Sequence, residues 1–107
     1  FRKGPDGKFL WPGYGDNIRV LKWIFERTGG DGQARQTPIG YVPEPDALDI
    51  TGLNGVAGKM EEILRVDNQE WLDECELIRE HQATFGDRLP AEMKEQFDAL
   101  KERLGGK

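Results

Sequence analysis

The sequence predicts a mostly α-helical chain with a short N-terminal hairpin-like segment and an edge strand near 37–42. Three observations carry that reading. Apolar residues recur at helical spacing through most of the chain. Two aromatic-bearing runs flank Gly4-Pro5-Asp6-Gly7, a strong turn signal. The β-branched and aromatic stretch Thr37-Pro38-Ile39-Gly40-Tyr41-Val42 is confined by Pro38 and Pro43 to a sheet edge or an extended surface segment.

The elements follow in order. Residues 1–14 form the hairpin-like pair, and Pro12-Gly13 ends its second run. Asp16 or Asn17 caps a helix running to about Thr28, with Ile18, Leu21, Ile24 and Phe25 on one apolar face and Val20 and Trp23 widening it. So much apolar surface predicts a helix buried on most sides. Gly29-Gly30-Asp31-Gly32 stops it and, with Gln33 and Arg35, makes the most mobile loop of the chain. A Pro- and Asp-containing connector spans 43–55, after which Val56, Met60, Ile63 and Leu64 recur at helical spacing. Asp67 and Glu70 have the spacing of a capping box, opening a helix whose stripe is Trp71, Cys75, Ile78 and Phe85. Gly86-Asp87 ends that helix. Pro90 suits a helical first turn, and Met93, Phe97, Leu100 and Leu104 form the last stripe. The organisation is thus one segment of a domain over 1–107: a pocket segment and helix at 1–28, a loop, edge strand and connector at 29–55, and C-terminal helices at 56–107. The three helices after residue 55 are expected to bury their stripes against one another. Residues 1–42, by contrast, carry more aromatic surface than they can hide alone.

Composition removes several function classes. A chain of 107 residues, 36% hydrophobic and 33% charged, supports only a small core, yet three Trp, five Phe and two Tyr are too many for a disordered tail. The net charge of −5 repels phosphate backbones, so nucleic acid is not an expected partner. No window approaches the ~20 apolar residues of a membrane span, so no membrane partner is expected. With Cys75 as the single cysteine there is no internal disulfide, which favours a reducing compartment and a cytoplasmic location. The chain opens on Phe1, an aromatic of the kind normally buried inside an element, and reads as cut from something longer.

The chemistry is restricted by what is missing. The sequence contains no GxxxxGK[ST] loop, no GxGxxG and no CxxC, and its one histidine, His81, lies in a charged helical stretch. No catalytic residue and no metal ligand is assigned. Cys75 belongs to an apolar stripe and reads as a packed thiol; Glu74, Glu76, Glu92 and Glu95 read as the water face of helices. What remains is the aromatic cluster Phe1, Phe9, Trp11 and Tyr14, followed directly by Gly15-Asp16-Asn17 at a helix start. Such rings pack either as ordinary core or as a clasp for a flat ring system, with stacking worth about 1–3 kcal/mol per base. An asparagine beside a clasp offers an amide donor and acceptor, the means of telling guanine, whose carbonyl accepts, from adenine, whose amino group donates.

The stretch FRKGPDGKFLWPGYGDNIRVLKWIFERT resembles a segment of the GTP-dependent phosphoenolpyruvate carboxykinases, and TPIGYVPEPDALDITGL resembles the segment that follows it there. The match is detailed over about the first 53 residues. The resemblance implies an α/β parent fold with this chain as part of its nucleotide-binding domain. It implies Phe1 and Tyr14 on the two faces of the guanine of GTP or GDP, Phe9 at its edge, and Tyr14, Gly15, Asp16 and Asn17 as a guanine-contacting tetrapeptide with Asn17 reading the base. Tyr14 stands where the family commonly has phenylalanine, and Asp16 where glutamate is frequent; neither change removes a ring face or the amide.

The parent activity so implied converts oxaloacetate and GTP into phosphoenolpyruvate, GDP and carbon dioxide in gluconeogenesis, using Mn2+ or Mg2+. The phosphate loop with its reactive cysteine, the metal ligands and the lid are expected upstream, in the rest of the same polypeptide, and the parent is expected to be a monomer. The rival expectation is a non-catalytic module in which the aromatic and helical surface docks a protein partner.

Overall fold

A computed structural model of the chain describes residues 2–105. They form two compact units: the first takes in the residues up to Gln36 together with Tyr41–Arg65, and the second takes in Thr37–Gly40 and the residues from Val66 onward.

The first unit starts with the expected hairpin-like segment. Lys3 pairs antiparallel with Phe9, the Gly4 amide donates to the Lys8 carbonyl at 2.9 Å, and the Leu10 amide donates to the Arg2 carbonyl at 3.1 Å. Asp6 Oδ1 accepts from the Lys8 amide at 3.0 Å, and Gly7 takes a left-handed conformation at φ 79. An aspartate bonding the backbone two residues on, followed by a residue without Cβ, is how such a turn closes cheaply. Leu10 then points inward and is buried.

A single 3-10 turn, Tyr14–Asp16, leads into helix α1, Ile18–Thr28. The predicted helix is present, but the predicted burial is not: none of its residues is buried, and Ile18 and Phe25 are 66% and 77% exposed. The face that packs is the one expected only to widen the stripe. Val20 and Trp23 lie against a core of Leu48, Val56 and Met60, together with Trp11, Ile50, Leu53, Ile63 and Leu64.

Polar latches on the neighbouring positions select that face. Arg19 Nη1 donates to the carbonyls of Asp49 and Thr51 at 2.8 and 3.0 Å, and Lys22 Nζ meets Asp49 Oδ2 at 2.8 Å. The Trp23 indole N–H donates to the Gln33 carbonyl at 2.8 Å. Together these bonds lay the connector, with Leu48, Ile50 and Leu53, along the Val20–Trp23 side, where the carbonyls of Asp49, Thr51 and Gln33 and the indole all find partners.

The single edge strand expected at 37–42 is instead a hairpin, β1 Ala34–Thr37 and β2 Gly40–Pro43, joined as an antiparallel pair. Pro38 falls between the strands, where its missing N–H removes no ladder bond. Thr37 Oγ1 donates to the Gly40 carbonyl at 2.6 Å, and Gly40 supplies φ 125. Arg35, assigned from the sequence to the glycine loop, lies within β1, and its Nη2 donates to the Leu64 carbonyl at 2.9 Å. A 3-10 turn, Ala57–Lys59, runs into helix α2, Met60–Leu64, whose Met60 is 1% exposed.

The second unit is built from helices α3, Asn68–Ala83, and α4, Ala91–Arg103, which pack together. Asp67 caps α3, its carboxylate accepting from the Glu70 amide at 3.0 Å. Cys75 and Leu104 are buried, and Pro90 occupies the N-cap position of α4. The expectation of three helices sharing their stripes is corrected here. Met60 and Ile63 of α2 serve the core of the first unit, so the second unit rests on a helix pair. Phe85 also departs from the expected stripe, lying beyond the end of α3 and 48% exposed. No helix among the described residues is long and apolar enough to cross a membrane.

Candidate functional site

The hairpin-like segment and the start of α1 enclose a pocket of about 430 Å³, within the ~300–1,000 Å³ range of small-molecule sites. Its walls are apolar: Phe9, Trp11, Pro12 and Tyr14, with Arg2, Gly13 and Asn17 completing the lining. Local backbone geometry makes it. Gly13 at φ 135 turns the chain sharply between Trp11 and Tyr14, a conformation that a side chain would strain. Tyr14 is left 91% exposed and Phe9 58% exposed. Lys3 Nζ stands 5.3 Å from the centroid of the Phe9 ring. Neither ring is spent on the core.

Trp11 has a double role. Its ring packs against the core cluster, and its indole N–H donates to Asn17 Oδ1 at 2.9 Å. Asn17 holds the N-cap position of α1, yet its side chain makes no capping bond, because that oxygen is taken by the indole. Its backbone is fixed in turn: the amide donates to the Tyr14 carbonyl at 3.1 Å, and its carbonyl accepts from Val20 and Leu21. The NH2 end of its amide has no hydrogen-bond partner among the described residues.

Arg2 anchors the opposite wall. Its Nη1 donates to the carbonyls of Glu62, Ile63 and Arg65 at 2.7, 3.2 and 2.7 Å. Those carbonyls belong to the C-terminal end of α2, where helical acceptors lack intrahelical donors, so a cation there satisfies both hydrogen bonding and the helix dipole.

Of the six residues that the sequence singled out, Phe9, Tyr14 and Asn17 line this pocket. Gly15 and Asp16 do not: Asp16 turns to Arg19, with Oδ1 3.2 Å from Nε. Phe1 lies outside the described residues. Arg2 and the Trp11–Asn17 bond were missed. Arg2 bonds to residues 60 to 63 positions away, a relation with no periodic signature. Trp11 stood in the aromatic cluster, but the path from it to Asn17 runs through the turn at Gly13 and the 3-10 turn Tyr14–Asp16, where no single helix or strand periodicity applies.

The remaining reactive side chains have structural surroundings. Burial pushes the Cys75 thiol up, away from the thiolate that a nucleophile needs. Glu76 is held below its ordinary carboxylate value by hydrogen bonds from Arg79 and that residue's charge. His81 meets Phe85 edge-on at 5.3 Å. Among the described residues no group of three His, Cys, Asp or Glu gathers to hold a metal ion, so no metal chemistry is derived from them.

Comparison with known proteins decides the family. The family model described as the phosphoenolpyruvate carboxykinase C-terminal P-loop domain matches residues 1–103. The chain belongs to this family. It is 51% identical over 104 residues to a phosphoenolpyruvate carboxykinase [GTP] of Arthrobacter sp. (strain FB24), covering 97% of this chain and 17% of that protein. It is also 51% identical over 105 residues to one from Neocallimastix frontalis, with the same coverage, and 44% identical over 105 residues to one from Chlamydia muridarum, covering 97% of this chain and 18% of the relative. The chain therefore spans about 17% of the length of the curated carboxykinases it matches. Family membership reaches through α3 and α4, beyond the stretch whose motifs were recognisable by eye, and does not favour the stand-alone interaction module.

Proposed function

We propose that this chain is the guanine-binding wall of a GTP-dependent phosphoenolpyruvate carboxykinase, a lyase of gluconeogenesis working in the cytoplasm. The observation that carries the reading is the Asn17 amide, its NH2 end without a partner among the described residues, on the wall of an apolar pocket whose Phe9 and Tyr14 rings are exposed. A purine entering there stacks on Tyr14 with Phe9 at its edge. Asn17 donates to the guanine carbonyl. Gly15 and Asp16 contribute through the backbone that carries Tyr14 into α1, and Asp16 holds that turn through Arg19.

In the whole enzyme so proposed, oxaloacetate loses carbon dioxide and the resulting enolate oxygen takes the γ-phosphoryl group of GTP, giving phosphoenolpyruvate and GDP. Positioning and charge neutralisation dominate such transfers. The residues of this chain hold the base; the phosphate loop and the ligands for Mn2+ or Mg2+ come from the rest of the polypeptide, which works as a monomer. The exposed α1 face of Ile18, Leu21, Ile24 and Phe25 is then a packing surface for that remainder. On its own the chain has no turnover.

The test is nucleotide discrimination by the full-length carboxykinase carrying this segment. Asn17→Ala lowers the ratio of kcat/KM for GTP over ATP by about 5- to 150-fold, the span of 1–3 kcal/mol per base-reading contact. An unchanged ratio removes Asn17 from base reading.

A further inference from the structure

An asparagine amide presents a carbonyl at one end and an NH2 at the other, and the two are nearly the same size. Left free, it rotates to offer whichever end a ligand prefers, and discriminates poorly between a base with a 6-carbonyl and one with a 6-amino group. Asn17 is not left free. The indole nitrogen of Trp11 is a donor with no acceptor capacity, so its 2.9 Å contact is with the amide oxygen and with no other end. Trp11 is itself immobilised by packing against Leu48, Val56 and Met60.

We propose that Trp11 is the positioning residue that sets base specificity: its indole N–H locks the Asn17 amide with the NH2 end turned to the base, selecting 6-oxo over 6-amino purine nucleotides. The inference rests on the guanine-wall reading and deepens it. A 6-carbonyl accepts from the presented NH2. A 6-amino group meets a second donor, and to escape the clash the amide must flip and give up the indole bond, losing the net worth of one hydrogen bond. Specificity of this kind needs a rigid orienting partner as well as the group that touches the base.

The experiment compares GTP, ITP and ATP as substrates of the full-length carboxykinase. ITP carries the 6-carbonyl of guanine without its 2-amino group, so the ITP:ATP ratio of kcat/KM isolates reading at position 6. Trp11→Phe keeps most of the ring and removes the N–H. The ITP:ATP ratio falls about tenfold, the worth of one hydrogen bond, while GTP:ITP is unchanged; in an Asn17→Ala background Trp11→Phe has no further effect on ITP:ATP. A loss shared equally by the three nucleotides, an unchanged ITP:ATP ratio, or an effect that persists without Asn17 overturns the lock. Asn17→Ala separates the two levels. If it leaves ITP:ATP unchanged, the guanine-wall reading fails; if it collapses the ratio while Trp11→Phe does not, only the lock fails. A second measurement is independent of the variant's folding: in the wild-type enzyme the Trp11 indole N–H exchanges with solvent slowly, and Asn17→Ala speeds that exchange. Exchange at the rate of a free indole overturns the proposal.

Discussion

The two units use their apolar residues in opposite ways. In the second, a helix pair turns its amphipathic stripes inward, burying Cys75 and Leu104 and leaving charge outside. In the first, Leu48, Val56 and Met60 are hidden behind Trp11, Val20 and Trp23, while the continuous face of α1 from Ile18 to Phe25 stays in the open. The contrast teaches that helical spacing reveals where apolar side chains gather on a helix but not which side the partner chooses. That choice is made by polar contacts, here Arg19 and Lys22 fastening the connector.

The largest effect that sharpens this contrast is in the hidden core of the first unit. Met60→Ala destabilises the chain by about 2–5 kcal/mol in denaturant unfolding, whereas Phe25→Ala, on the open face, changes it by less than ~0.5 kcal/mol. Equal losses at the two positions break the distinction between the hidden and the open side of the first unit. In the proposed full-length carboxykinase, where that face packs against the rest of the polypeptide, the Phe25 substitution becomes costly.

A smaller effect separates local from tertiary support. Asp67→Ala removes the cap of α3 and costs about 1 kcal/mol, read as a lower unfolding midpoint at unchanged m-value; no shift means that the packing of α3 and α4 alone holds the helix start.

The smallest effect belongs to the exposed latch of the first unit. Hydrogen bonds from Lys22 and Thr51, with the Lys22 charge, hold the Asp49 carboxyl well below the usual carboxylate range, and the same contact raises Lys22. A depressed acid contributes stability that is complete above its unfolded value, about 3.9, and is lost as pH falls through its folded value. A raised lysine contributes below its unfolded value, about 10.4, and loses that contribution as pH rises through its folded one. The latch is therefore insensitive to pH between these limits, and salt weakens it because both partners meet solvent. Carbon-detected titration of Asp49 shows no protonation down to pH ~3.5; a midpoint near 3.9 removes the latch.

Much of this was legible in the sequence. The Gly4–Gly7 turn, the Asp67 cap and the stop at Gly29 announce themselves through residues with few alternative uses, whereas α3 ends at Ala83, ahead of the stop expected at Gly86. The Pro38 hairpin was misread because a proline that weakens a strand also makes a good turn, and only the pairing of Ala34–Thr37 with Gly40–Pro43 decides between them. At the candidate site, Phe9, Tyr14 and Asn17 stood out by chemical type. Arg2 and the indole bond of Trp11 did not, since both depend on distances in space between residues that no spacing rule connects.

The grip of Arg2 on the carbonyls of residues 62, 63 and 65 joins the two ends of the first unit. During synthesis the Arg2 side chain must wait for these acceptors until the chain has grown past Arg65 and α2 emerges. Closing so long a loop costs entropy before any contact rewards it. This side of the pocket is thus among the last features of the unit to be secured, and a chain ending short of Arg65 holds every aromatic of the pocket without the full Arg2 clamp.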